Sequence, residues 1–110
     1  MNTEGELKNE SDLVYVDAAL QDLIPEFLSN RRKDVIALEA ALQTRDSQKI
    51  QSIGHTLKGV GGSYGFNQLS TWGKQLEALG KSNDVTSVVP LVEQMKHHLS
   101  VVQVVYFGNP

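Results

Sequence analysis

The sequence predicts an all-α fold, an antiparallel four-helix bundle with a short extra N-terminal helix. Apolar residues recur at three- and four-residue spacing through four stretches, the repeat of one buried helix face. Capping and stop residues separate those stretches by only a few positions, and short loops between amphipathic helices give antiparallel neighbours. The chain shows neither a βαβ alternation nor a Gly-rich phosphate loop at a strand end.

Residues 1–11 offer little to bury and read as a disordered tail ahead of one domain spanning 12–108. Leu13-Val14-Tyr15-Val16 is a short apolar run with no evident second strand, so it is expected as an extended lead-in to a short helix, Asp17 to Leu23. A longer helix is expected from Ile24 or Pro25 to Thr44. Proline suits a first turn, where its missing N–H is no loss. Ile24, Leu28, Val35, Leu38 and Leu42 share one face there, with Phe27 alongside. Arg31 falls inside that stripe; its stem is expected to cover apolar surface while its head reaches water.

Asp46 is a good N-cap for the next helix. Its stripe is Ile50, Ile53, Gly54, Leu57, Gly61 and Tyr64, ended by Gly65 in a left-handed cap. Asn67 is expected to cap the following helix, with Leu69, Trp72, Gly73, Leu76 and Leu79 inward and Gly80 at its end. Asn83 or Asp84 opens the last helix, with Val85, Val88, Val89, Val92, Met95, Leu99, Val102 and Tyr106 inward. Pro90 interrupts it, so that helix either kinks there or begins its regular part near Ser87.

Composition narrows the function. The 110 residues suit one domain with one core. A net charge of −3 argues against nucleic acid as partner, since nucleic-acid binders show a basic patch. No apolar run approaches the roughly 20 residues that span a bilayer, and Met1 to Glu10 lacks a signal-peptide apolar region. The chain has no Cys, which excludes disulfides and thiolate chemistry. A cytoplasmic protein without membrane contact is the expectation.

The segment His55-Thr56-Leu57-Lys58-Gly59, followed by Gly61, Gly62 and Gly65, has helical apolar spacing yet is loaded with glycine. Each interior Gly costs roughly 1 kcal/mol relative to Ala, so Gly54, Gly59, Gly61 and Gly62 cost about 4 kcal/mol. That is a large share of a small domain's net stability of ~5–15 kcal/mol. With ~100° per residue, His55 lies roughly 160° from the inward stripe and faces solvent with Gln48, Gln51, Lys58, Gly59 and Gly62. Gly54 and Gly61 face inward, where they allow close helix packing. Gly59 and Gly62 lie four and seven residues after His55 on its own face. With Gln51 they form the expected partner-docking surface.

A neutral imidazole offers a nitrogen lone pair that can attack a phosphoryl group. Lys58 could neutralise charge on the transferring oxygens. Glu77, on the next helix, is a candidate to accept a hydrogen bond from His55 Nδ1–H, fixing the tautomer with Nε2 outward. Its competing partners are Lys74 and Lys81 on its own helix.

These residues resemble a known family. His55-Thr56-Leu57-Lys58-Gly59 with Gly65 is similar to the phosphorylation motif H-x-L-K-G-x5-G of histidine-containing phosphotransfer (HPt) domains. Leu69, Leu76 and Glu77 fall where that family has its next helix's apolar residues and a Gln or Glu facing the histidine. The stretch Leu23 to Leu28, with Arg31, Arg32, Asp34 and Val35, is similar to the preceding helix. The resemblance covers roughly residues 15–105 and implies a four-helix bundle with a short N-terminal helix. It further implies a phosphorelay intermediate in which His55 takes a phosphoryl group from a receiver-domain phospho-aspartate and passes it to another receiver's aspartate. Partners would be response-regulator receiver domains and a hybrid histidine kinase. No ATP binding and no cofactor on this chain are implied, with Mg²⁺ belonging to the receiver.

Two other readings compete. A helical adaptor would use the same bare face to dock a receiver without moving phosphate. A metal-binding bundle would need His55, His97 and His98 together, but adjacent residues on a helix point roughly 100° apart. His97 and His98 are instead expected as solvated neighbours of Lys96. A stand-alone, monomeric carrier is expected, although a cap of Val14, Tyr106 and Phe107 could pair two copies.

Overall fold

The computed structural model describes residues 12–109, so the tail expected over 1–11 lies outside the described residues. Strand β1 (Leu13–Asp17) leads into a 3-10 helix (Ala18–Leu23), followed by α1 (Ile24–Thr44), α2 (Ser47–Ser63), α3 (Asn67–Lys81), α4 (Val88–Val101) and strand β2 (Gln103–Phe107). The four helices make the all-α bundle. Leu38, Ile50, Leu57, Leu69, Leu76, Val88 and Met95 are fully buried between them, each Leu contributing about 1.5–3 kcal/mol.

Local chemistry sets most boundaries. The Asp17 carboxylate accepts from Ala19 N at 2.9 Å and starts the 3-10 turn. Pro25 sits in the first turn of α1. Asp46 accepts from Lys49 N at 3.0 Å, capping α2, and Gly65 takes the left-handed φ of +85° beyond its end. The Asp84 carboxylate accepts from Ser87 N at 3.2 Å and Ser87 Oγ at 2.8 Å. That turn places Pro90 at the third position of α4, where its missing N–H breaks no helical bond. Of the two expectations for Pro90, the later start is the one observed.

Several expectations are corrected. Asn67 is the first residue of α3 rather than its cap, and the Phe66 carbonyl accepts from Ser70 N. Gly80 lies inside α3, pressed against Gln51 N, and Asn83 at φ +60° takes the left-handed position after the helix. The last helix stops at Val101 instead of running through Tyr106. Val102 turns extended (ψ 136°), and β2 pairs in parallel with β1, Leu13 beside Gln103 through Asp17 beside Phe107. The run at Leu13 therefore does have a partner strand. The four-residue spacing of Val102 and Tyr106 fits a helix, while the β-branched and aromatic content of 103–107 fits a strand.

Arg31 is also differently placed. Its guanidinium is held by Asp34 at 2.8 Å and lies 4.9 Å from the Phe27 ring centre, so the residue is buried. Burial pushes the Asp34 carboxyl above its ordinary range, with Arg31 pulling the other way. His97 is exposed as expected, but His98 is buried with its ring edge-on to Trp72 at 5.4 Å. Its Nε2 has no hydrogen-bond partner among the described residues. His98 shares the inward face of α4 with Met95, a phase that the adjacent charged Lys96 obscures in the sequence.

Candidate functional site

The site is assembled where α2 and α3 run antiparallel with their backbones in contact. A Cβ on Gly54 would stand 2.5 Å from Glu77 N, one on Gly80 2.6 Å from Gln51 N, and one on Gly61 2.7 Å from Ser70 N. Gly73 is pressed equally hard against Lys58 N. Residues 51, 54, 58 and 61 thus face 80, 77, 73 and 70 in order. Ser70 Oγ adds a hydrogen bond to the Lys58 carbonyl at 2.7 Å. No larger side chain fits at these crossings, and the close approach puts Glu77 within reach of its opposite helix.

His55 projects from α2 with its side chain 70% exposed, against 18% for Glu77. Glu77 Oε2 lies 2.8 Å from His55 Nδ1, and Lys58 Nζ donates to Glu77 Oε1 at 2.7 Å. One carboxylate therefore grips both His55 and Lys58, and neither Lys74 nor Lys81 pairs with it. Hydrogen bonds from Lys58 and then His55 hold the Glu77 carboxyl below its usual range. At neutral pH it is ionised and can only accept. Nδ1 must then carry the proton, and in the neutral ring the lone pair is on Nε2.

A shallow depression of about 290 Å³ opens beside His55 and Glu77, with Gln51 and Thr56 on its rim. Gly59 is bare: a Cβ there would meet nothing within 4 Å. Gly62 is exposed too, although a Cβ on it would reach Ser70 Oγ at 3.8 Å. All six residues singled out from the sequence (Gln51, His55, Lys58, Gly59, Gly62 and Glu77) thus lie on or beside one face of the α2–α3 pair. What sequence reasoning missed is the positioning part of Gly73 and Ser70. The helical period places Gly73 inward, but its partner, the Lys58 backbone, shows only when the two helices are brought together. Among the described residues, no group of three or more His, Asp or Glu side chains is arranged to hold a metal ion. Nor, among the described residues, is any helix long and apolar enough to cross a membrane.

The fold and the site define a class: a helical bundle presenting an exposed imidazole that is hydrogen-bonded to a carboxylate from the neighbouring helix. The family model described as Hpt domain matches residues 22–104, and the chain belongs to that family. Membership implies histidine phosphotransfer in two-component phosphorelays, as a phosphocarrier rather than a kinase, in contact with receiver domains. Neither a curated protein nor a solved structure matches the chain.

Proposed function

We propose that His55 is the phosphoacceptor of a phosphorelay intermediate, and that Lys58 and Glu77 serve it. The observation carrying this reading is the Glu77 bridge, which leaves the Nε2 lone pair of an exposed ring free for attack. Nε2 attacks the phosphorus of a receiver's phospho-aspartate. The N–P bond forms as the P–O bond to the aspartyl carboxylate breaks, and that carboxylate leaves with the electron pair. The ring becomes cationic, and the Glu77 carboxylate on Nδ1–H offsets that charge. Lys58, half-exposed beside the ring, supplies positive charge to the phosphoryl oxygens. The reverse sequence delivers the group to a second receiver's aspartate. This chain needs no cofactor of its own in that scheme; Mg²⁺ is bound by the receiver, and a hybrid histidine kinase is the upstream source. Membership of a family that works in two-component phosphorelays supports a cytoplasmic setting.

Gly59, Gly62 and Gln51 form the docking surface. Gly59 has room for a partner's side chains where any residue of its own would project. The test is transfer of labelled phosphate from a panel of phosphorylated receivers. His55→Gln is expected to abolish uptake, and acid-labile label on the wild type identifies phosphohistidine; label retained by the variant would sink the assignment. Lys58→Ala is expected to slow transfer without unfolding the domain. Gly59→Leu is expected to weaken docking with helicity intact. A wild type that binds receivers but never takes label would point instead to the adaptor reading.

A further inference from the structure

The phosphotransfer reading leaves the outer edge of β2 unused. This strand pairs with β1 on one side only. Alternate residues of a parallel strand turn their N–H and C=O groups to opposite sides, so every second residue of Gln103–Phe107 presents them to the open side. Among the described residues, no hydrogen bond beyond the ladder to β1 reaches this strand. β1 is different, because the α2–α3 turn lies against it: a Cβ on Gly65 would stand 3.1 Å from the Tyr15 carbonyl oxygen.

Open edges are usually blunted by charge, proline or a bulge, because they template another strand. Gln103-Val104-Val105-Tyr106-Phe107 carries none of these. A two-stranded sheet is also marginal without further strands or a covering layer. The bundle covers β1 well, with Val14 and Val16 at 8% and 1% exposure, whereas Val104 and Tyr106 on the same face of β2 are only partly buried. β2 therefore overhangs the bundle. On the outer face Tyr15, Val105 and Phe107 are 58%, 39% and 53% exposed, with Tyr15 directly beside Val105.

We infer that this edge pairs with β2 of a second copy, antiparallel about a two-fold axis at Val105, giving a four-stranded sheet in the order β1-β2-β2-β1. The occupant follows from symmetry and charge. A two-fold contact requires a strand complementary to itself. Centred on Val105, the pairing sets Gln103 opposite Phe107, Val104 opposite Tyr106 and Val105 opposite its own copy, with no charge in the ladder. Pairing β1 in the same way about Tyr15 would set Asp17 opposite Leu13. In the β2 pairing, a row Tyr15–Val105–Val105–Tyr15 crosses the outer face, of the aromatic and β-branched type that favours cross-strand contact. The partner's Tyr106 and Val104 cover the half-buried residues of the inner face. His55 lies ten residues before Gly65, roughly 15 Å along the helix, so the imidazole stays open. The dimer departs from the monomer expected from sequence and is independent of the phosphotransfer assignment.

Sedimentation velocity on the full chain over a concentration series tests it, with Val105→Lys and Val105→Glu as variants. The wild type is expected to dimerise with rising concentration. Each variant alone is expected to raise the dissociation constant about tenfold or more, since like charges then face each other across the axis. An equimolar mixture of the two is expected to dimerise again, with helix content and phosphate uptake unchanged throughout. A wild type that stays monomeric into the millimolar range overturns the inference. So does a dimer that survives both substitutions, or one that is lost in both and not restored by mixing.

Discussion

The α2–α3 pair and the α1–α4 pair share one bundle but meet in different ways. At α2–α3 the backbones touch, because Gly54, Gly61, Gly73 and Gly80 leave nothing between them. At α1–α4 long side chains intervene: Arg32, Ile36, Glu39 and Lys96 line a cleft of about 250 Å³, bridged at 3.2 Å from Lys96 Nζ to Glu39 Oε2. A carboxylate on one helix grips a ring and an amine on the other only where the helices are held at fixed separation. On the proposed function, the bare, propensity-poor pair therefore carries the chemistry, and the side-chain-packed pair does not.

The largest expected effect that would break this contrast is at Gly73. Gly73→Ala places a methyl against the Lys58 backbone, and overpacking of this kind costs about 1–3 kcal/mol. The melting temperature should fall by roughly 4–8 °C per kcal/mol. The His55 ¹⁵N shifts should lose the Nδ1–H signature set by Glu77. Gly59→Ala is the matched control. With open space around it, this change should stabilise the helix by up to about 1 kcal/mol. The same substitution thus has opposite signs at two glycines, and equal melting temperatures for both variants would show that the backbone contact is not what sets the helix spacing.

A smaller effect concerns pH. Burial holds the His98 imidazole below its ordinary 6.5, with His97 adding to this and Asp12 opposing it. The unfolded chain then takes up the proton first, so stability is complete above about pH 6.5 and declines as pH falls toward the lowered folded value. His98→Phe should flatten that limb in thermal melts between pH 5 and 7; a limb of unchanged slope would mean that the other titrating groups produce it. The carboxyl of Glu77 acts in a lower window. Its folded pKa is depressed below 4.5, so its contribution is present above that pH and is lost as pH falls through the folded value.

The smallest effects belong to the α1–α4 side. Lys96→Ala breaks a pair whose side chains are 60% and 39% exposed, and should cost no more than about 1 kcal/mol. Ile36→Ala, at a residue 66% exposed, should change stability by about 0.5 kcal/mol or less. Neither should alter phosphate uptake. A loss of transfer in either variant would extend the site beyond α2–α3.

Much of this was legible in the residues because the signals are local. Asp46 as a cap, Gly65 as a left-handed stop and the outward direction of His55 each depend on a few neighbouring positions. Glu77 was a candidate from its helix face, although Lys74 and Lys81 competed for it until the helices were placed together. Three of the departures share a cause. At Arg31, His98 and Gly80 the residue type implies its usual surface or terminal role, and packing against Phe27, Trp72 and Gln51 overrides it. The strand at 103–107 was misread for a different reason, since its partner lies at the other end of the chain.

The sequence by itself determined the four helices, the isolation of one histidine on a bare face and the family motif around it, because helical period and caps are short-range properties. Only the tertiary structure decided that Glu77 grips both His55 and Lys58, that four glycines serve one helix contact, and that the chain ends pair as a sheet with an open edge. Those outcomes depend on residues far apart in the chain coming within a few ångströms, and no local pattern carries that distance.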